Sequence, residues 1–179
     1  LVVSEEKYEV HACEAEHSVT TFSYLFKEKE KPGTFYPEKA SALGVPKGKL
    51  WHKLQQGEEI TIENKSIKPS QVMGPNISGK KIGVSGDTRP TKKLEKFFRN
   101  CDYLVFDSTF SDELREKAIQ SCHSTAKEAA VFAKNADVKN LILTHFSARY
   151  KDEKVLLNEA KAIHNSVIAA NDQLKIDVV

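Results

Sequence analysis

Three short apolar runs in this chain each stop at an isolated polar residue: Ile82-Gly83-Val84-Ser85-Gly86-Asp87, Tyr103-Leu104-Val105-Phe106-Asp107 and Leu141-Ile142-Leu143-Thr144-His145. Each has the length of a buried strand and is too short for a helix. Helical patterns lie between them, and that alternation predicts an α/β fold. In open α/β sheets chemistry collects at the carboxyl ends of the strands, where a rigid sheet holds the loops. Two carboxylates and an imidazole delivered there suit metal ligation and acid–base work.

The remaining elements follow from pattern and punctuation. Thr20 to Phe26 reads as a strand, Ile60 to Ile67 as a hairpin with an Asn64-Lys65 turn, and Val167–Ala170 as another strand. Helices are predicted near Thr91–Phe98, Asp112–Gln120, Thr125–Lys134 and Glu153–Ile163, the third opened by the capping box Thr125-Ala126-Lys127-Glu128. The alternation Leu174-Lys175-Ile176-Asp177-Val178 predicts a final edge strand. From Lys27 to Lys53 the breakers Pro32-Gly33, Pro37, Gly44, Pro46 and Gly48 recur, with short helical pieces near Glu38–Leu43 and Leu50–Gln55. So much irregular chain predicts an arm leaving the sheet.

Charge sharpens that reading. The chain of 179 residues has a net charge of only +2. Residues 27–53 hold seven lysines against three glutamates, a local excess of +4 on a remainder of −2. Such a cluster suits a phosphate backbone, and it equally suits a solvated lysine-rich loop. No apolar stretch approaches the roughly 20 residues that cross a bilayer. Three cysteines without CxxC spacing predict a reducing, cytoplasmic setting. Cys122, beside His123, is either a reactive thiol or a small packing side chain.

Three of the six histidines, His17, His123 and His145, stand in loops beside strands. With Asp87 they form a donor set of imidazole nitrogen and carboxylate oxygen that suits Zn²⁺. Gly86 lets the backbone at Asp87 approach an ion closely.

Four strings, in order, resemble the tRNase Z family of tRNA 3′-processing endonucleases in the metallo-β-lactamase superfamily. They are Ala15-Glu16-His17-Ser18-Val19, Ser85-Gly86-Asp87-Thr88-Arg89-Pro90, Cys122-His123-Ser124-Thr125-Ala126-Lys127-Glu128-Ala129 and Leu143-Thr144-His145-Phe146-Ser147-Ala148-Arg149-Tyr150. The resemblance implies a metallo-β-lactamase-type αββα sandwich, present here mainly as its C-terminal half, in which residues 27–53 form a flexible tRNA-binding arm. It implies a pair of Zn²⁺ ions per complete site, with His17, Asp87 and His145 as this chain's metal ligands. His123 resembles the histidine that protonates the leaving oxygen, and Asp107 stands where the family usually has its partner glutamate. Ser147, Arg149, Tyr150 and Arg89 are implied at the substrate, with Lys47 and Lys49 on the arm.

The resemblance further implies removal of a 3′ trailer from precursor tRNA, and a homodimer. The family's His-x-His-x-Asp-His motif is absent, since no two histidines here are two apart. The chain opens at Leu1 and its sole methionine is Met73, so it reads as part of a single domain whose N-terminal portion lies upstream. Two other readings remain: another hydrolase of the same fold, and a non-catalytic tRNA-binding half.

Overall fold

The computed structural model describes residues 1–178. In chain order the elements are β1 (Val3–Ser4), β2 (Tyr8–Glu14), β3 (Phe22–Glu28), α1 (Pro37–Ala42), α2 (Lys49–Gln55), β4 (Ile60–Ile62), β5 (Lys65–Ile67), β6 (Lys81–Val84), α3 (Lys92–Phe97), β7 (Tyr103–Asp107), α4 (Arg115–Gln120), α5 (Ala126–Asn135), β8 (Asn140–Thr144), α6 (Lys154–Lys161) and β9 (Val167–Ala169). They form two compact units, residues 1–28 with 80–179 and residues 29–79.

The first unit is built on a seven-stranded sheet of order β1-β2-β3-β6-β7-β8-β9. β6, β7, β8 and β9 run parallel, and β1, β2 and β3 are antiparallel to their neighbours. Strand alternation sends Leu104, Phe106, Leu141 and Leu143 to one face, where they pack with Leu94, Phe98, Ala129, Phe132, Ala133, Leu156 and Ala160 of the helical layer. Gly83 lies in β6 under that layer, where a Cβ would sit 2.5 Å from a Phe98 ring carbon. Burial in this core pushes the Cys101 thiol up to about 12. The opposite face leaves Phe22, Tyr24 and Val84 more than 40% exposed. One sheet with helices on a single face is one half of an αββα sandwich.

Two expectations fail here. Residues 174–178 form no strand: the chain turns at Asn171, where Leu174 N–H bonds the Asn171 carbonyl, and Leu174 and Val178 stay exposed. Alternation alone makes no strand without a neighbour to pair with. The hairpin turn is Glu63-Asn64, not Asn64-Lys65, because Ile62 pairs with Lys65. Both turn residues have positive φ, 45° and 66°, as a two-residue type I′ turn requires.

The second unit has a core of its own. Ala40, Val45, Leu54, Ile60, Ile67 and Val72 are buried, with Phe35, Leu50, Trp51 and Met73 packed against them. Trp51 Nε1 donates to the Val45 carbonyl at 2.9 Å. The unit therefore runs to Gly79 and includes the hairpin, whereas Lys27 and Glu28 complete β3. Its helices α1 and α2 fall where the two short helical pieces are predicted.

Candidate active site

The carboxyl ends of β6, β7 and β8 lie side by side in the sheet. Asp87 follows β6 after Gly86, whose φ of 63° makes the sharp turn. Asp107 ends β7 opposite Thr144 in register, and His145 follows immediately with a φ of 64°. His145 Nε2 comes within 3.6 Å of Asp87 Oδ1.

His123 arrives from the helical side. The Cys122 and His123 amides bond the Ile119 and Ala118 carbonyls as α4 ends, and Cys122 takes the left-handed conformation, φ 56°. This is a Schellman closure in which cysteine occupies the position usually given to glycine. His17 comes from the turn between β2 and β3. Glu16 N–H bonds Thr88 Oγ1 at 3.1 Å and Arg89 N–H bonds the Glu16 carbonyl at 2.9 Å, tying that turn to the Asp87 loop.

The three imidazoles form a row. Ring centroids are 4.9 Å apart for His17–His123 and 4.9 Å apart for His123–His145. In each ring Nδ1 faces an acceptor. His17 Nδ1 meets the Cys122 carbonyl at 2.9 Å and His123 Nδ1 meets Asp107 Oδ2 at 2.7 Å. His145 Nδ1 meets Thr109 Oγ1 at 2.8 Å, while that hydroxyl donates its single hydrogen to Asp107 Oδ1 at 2.7 Å. A carbonyl, a carboxylate and an already donating hydroxyl can only accept, so all three Nδ1 atoms carry hydrogen. In the neutral ring, that tautomer leaves Nε2 with its lone pair available. A partner on one ring nitrogen that frees the other is the arrangement metal-binding histidines use.

Asp107 is distinct from Asp87. Its fully buried carboxylate accepts from Thr88 N, Thr109 N, Thr109 Oγ1 and His123 Nδ1, all within 3.1 Å. Asp87, Asp107, His123 and His145 offer ligand atoms within 4.8 Å of one another. Because Asp107 has four hydrogen bonds and His123 is paired to it, Asp87 and His145 remain as donors, with His17 on the far side of His123. Imidazole nitrogen and carboxylate oxygen fit Zn²⁺.

Arg89, expected at the substrate, pairs with Glu128. Its guanidinium holds Glu128 by two bonds of 2.5 and 2.7 Å and donates to the His123 carbonyl at 2.5 Å, with 13% of each side chain of the ion pair exposed. Three of the five guanidinium hydrogens are committed in this way. Burial works to raise the Glu128 carboxyl, but the bonds from Arg89 and from the Thr125 amide outweigh it and hold the group below its ordinary value.

Tyr150 also turns inward, its hydroxyl accepting from Ser111 N at 2.8 Å and donating to Ser111 Oγ at 3.0 Å. Ser147 Oγ accepts from Arg149 Nε at 2.9 Å, and the exposed Arg149 guanidinium lies 5.0 Å from the Phe110 ring centre, which is 6.5 Å from the His123 ring. Lys47 and Lys49 are exposed in the second unit. Of the other histidines, His164 is buried between the Val138 and Ser166 carbonyls, and His11 and His52 pair with Glu9 and Gln56. Thr109, Phe110 and Ser124 matter to the site without having been singled out. No spacing rule marks a threonine as a relay between a carboxylate and a histidine.

The chain is 60% identical to Ribonuclease Z of Nitrosopumilus maritimus over 177 residues, covering 99% of this chain and 59% of the relative. It is 43% identical to Ribonuclease Z of Methanosarcina acetivorans over 178 residues, 99% of this chain and 58% of the relative. It thus spans somewhat over half the length of these proteins. Among solved structures it resembles the short form of human tRNase Z at a TM-score of 0.59 and 22% identity, covering 100% of this chain and 46% of that one. It also resembles the metallo-β-lactamase fold protein YhfI of Bacillus subtilis at 0.60 and 15%, covering 94% and 48%. The profile described as the beta-lactamase superfamily domain matches residues 38–146, more than half of the sequence. The chain belongs to the beta-lactamase superfamily.

Proposed function

We propose that this chain is part of a zinc-dependent endoribonuclease that removes the 3′ trailer from precursor tRNA, leaving a tRNA 3′-OH and a 5′-phosphorylated trailer. The observation that carries this reading is the row of three imidazoles with every Nδ1 hydrogen consumed and every Nε2 free. The relatives named Ribonuclease Z support the choice of substrate. His17, Asp87 and His145 would be this chain's ligands to a pair of Zn²⁺ ions, with His17 outside the cluster that Asp87 and His145 share. Bound zinc supplies an activated water and positive charge against the phosphate oxygens.

The chain's own residues divide the remaining work. His17 and His145 have neutral partners at Nδ1, as ligands do. His123 has the buried Asp107 carboxylate, which faces the positive charge that appears when Nε2 also carries a proton. In the reaction, His123 first takes up a proton from solvent at Nε2; water oxygen then bonds to phosphorus and loses one proton to solvent, the bond from phosphorus to the ribose 3′-oxygen breaks, and His123 Nε2 gives its proton to that oxygen. Arg149, exposed beside Phe110, suits a phosphate of the acceptor stem. The unit 29–79, with Lys47 and Lys49 exposed, would grip the tRNA backbone by charge and shape. The enzyme would act as a homodimer in the cytoplasm, and no helix among the described residues is long and apolar enough to cross a membrane.

The test is the full-length protein, zinc-loaded, on precursor tRNA with both product ends mapped. A single cut leaving 3′-OH and 5′-phosphate is expected. The variant His123→Ala is expected to lower kcat while tRNA Kd holds. Hydrolysis of a thioester or lactam with intact precursor tRNA would overturn the reading.

A further inference from the structure

We infer that Arg89, through its ion pair with Glu128, is a positioning residue for His123 in the proposed reaction and makes no contact with the RNA. The inference rests on the function proposed above, but on different atoms. Arg89 Nη1 donates at 2.5 Å to the backbone carbonyl of His123, the residue whose ring must deliver the proton. The guanidinium is itself fixed by Glu128, which accepts from Arg89 at both oxygens, from the Thr125 amide at 3.0 Å and from Arg115 Nε at 3.2 Å. Glu128 is also the third residue of α5, and its N–H bonds Thr125 Oγ1 at 3.1 Å. The helix is therefore the rigid body to which Arg89, and hence the His123 backbone, is anchored.

A second stitch runs parallel to it. Ser124 Oγ donates to the Thr88 carbonyl at 2.5 Å, and Thr88 N–H donates to Asp107 Oδ2, the oxygen that holds His123 Nδ1. The loop bearing Asp87 and the loop bearing His123 are thus joined as one piece, with Arg89 at the joint. The planar fork of arginine is what the joint needs: two bonds to a carboxylate and one to a carbonyl demand more than one donor in a fixed plane. Lysine keeps the charge and loses the fork.

Two substrates separate the alternatives, because a ribose 3′-oxygen needs a proton to leave and a p-nitrophenolate does not. In the full-length zinc-loaded protein, Arg89→Lys is expected to lower kcat on precursor tRNA about 10- to 100-fold, the range for losing an orienting partner. KM is expected to hold within about threefold, with hydrolysis of bis(p-nitrophenyl) phosphate and zinc content close to wild type. Glu128→Gln is expected to give the same split, although it frees the arginine for any RNA contact. Should the single variants not fold, Arg89→Met with Glu128→Met replaces the buried pair by apolar volume. It is expected to show the same selective loss.

A raised KM with unchanged kcat would assign Arg89 to the substrate and overturn the inference. Equal losses on both esters would assign the pair to packing alone and also overturn it. Wild-type protein that hydrolyses the aryl ester but leaves precursor tRNA uncut removes the proposed function, and this inference with it.

Discussion

Asp107 and His145 do not touch, yet the Thr109 hydroxyl joins them, donating to Asp107 Oδ1 at 2.7 Å and accepting from His145 Nδ1 at 2.8 Å. One buried carboxylate therefore sets the tautomer of two histidines: His123 directly and His145 through the relay. The same group thereby prepares one imidazole for proton transfer and another for ligation.

The relay predicts the effect of Thr109→Val, which keeps the branched shape and removes the hydroxyl. His145 is then free to carry its hydrogen on Nε2, where a metal needs a lone pair. Zinc affinity of the full-length protein, measured by chelator competition, is expected to fall about 10- to 100-fold. Stability is expected to drop by about 1–3 kcal/mol, since Asp107 Oδ1 loses a donor in a buried site.

The direct bond predicts a different outcome for Asp107→Asn. An amide turned to offer its NH₂ to Nδ1 selects the other tautomer of His123 and removes the negative charge beside the ring. A fall in kcat of about 10²- to 10⁴-fold on precursor tRNA is expected, with KM little changed. Nitrogen-15 NMR of the imidazoles checks the cause, since the His123 hydrogen should move from Nδ1 to Nε2.

The carboxyl ends of the strands were legible in the sequence because chemistry-bearing residues there follow short apolar runs. Asp87, Asp107 and His145 could be placed at strand ends from those runs alone; that the three strands are neighbours comes from the sheet order. Arg89 could not: its partner lies 39 residues away, and the motif that carries it reads equally well as a substrate contact. The extent of the second unit was hidden for a similar reason. Ile60, Ile67 and Val72 close over Val45 and Leu54, but nothing local says that a hairpin and a proline-rich loop share a core. β2 carried a legible signal, since Tyr8-Glu9-Val10-His11-Ala12 alternates as a half-buried strand does, and Tyr8 stacks on Phe26 at 5.2 Å.

Cys122 tests whether the thiol beside His123 does anything beyond closing α4. Its φ of 56° costs an L-residue about 1–2 kcal/mol, against a smaller entropic cost for glycine. Cys122→Gly is expected to leave kcat within about threefold of wild type and to hold or slightly raise Tm. Cys122→Val, β-branched in a left-handed position, is expected to lose about 1–2 kcal/mol or more. Loss of activity in the glycine variant at full stability would assign the thiol a chemical role.

The Arg89–Glu128 pair also shapes the acid limb of stability. The folded Glu128 carboxyl lies below its ordinary value, so the stability it contributes is fully present above the unfolded value of 4.5 and is lost as pH falls through the lower folded value. Glu128→Gln is expected to cost about 3–5 kcal/mol at pH 7, because it leaves a buried guanidinium without its counter-ion. The gap from wild type should close as pH falls below 4.5 and through the lower folded value. Glu159 runs the opposite way: burial raises its carboxyl, so ionising it costs stability as pH rises. Glu159→Gln retains an acceptor for the Asp112 amide and is expected to be neutral or stabilising at pH 7. Urea denaturation across this range reads both signs in one experiment.

Lys47 and Lys49 flank Gly48, whose φ of 132° turns the chain into α2 and leaves both ammonium groups exposed in the unit 29–79. Exposed lysines on a small separate core contribute little to folding, so their reversal tests binding without disturbing the catalytic unit. The double variant Lys47→Glu with Lys49→Glu is expected to raise KM for precursor tRNA about tenfold or more at low salt and to leave bis(p-nitrophenyl) phosphate hydrolysis at its wild-type rate. Each lost phosphate contact should also flatten the plot of log affinity against log salt by about one unit of slope. If the salt dependence is unaltered while KM rises, the lysines shape the fold of their own loop and the backbone grip lies elsewhere on that unit.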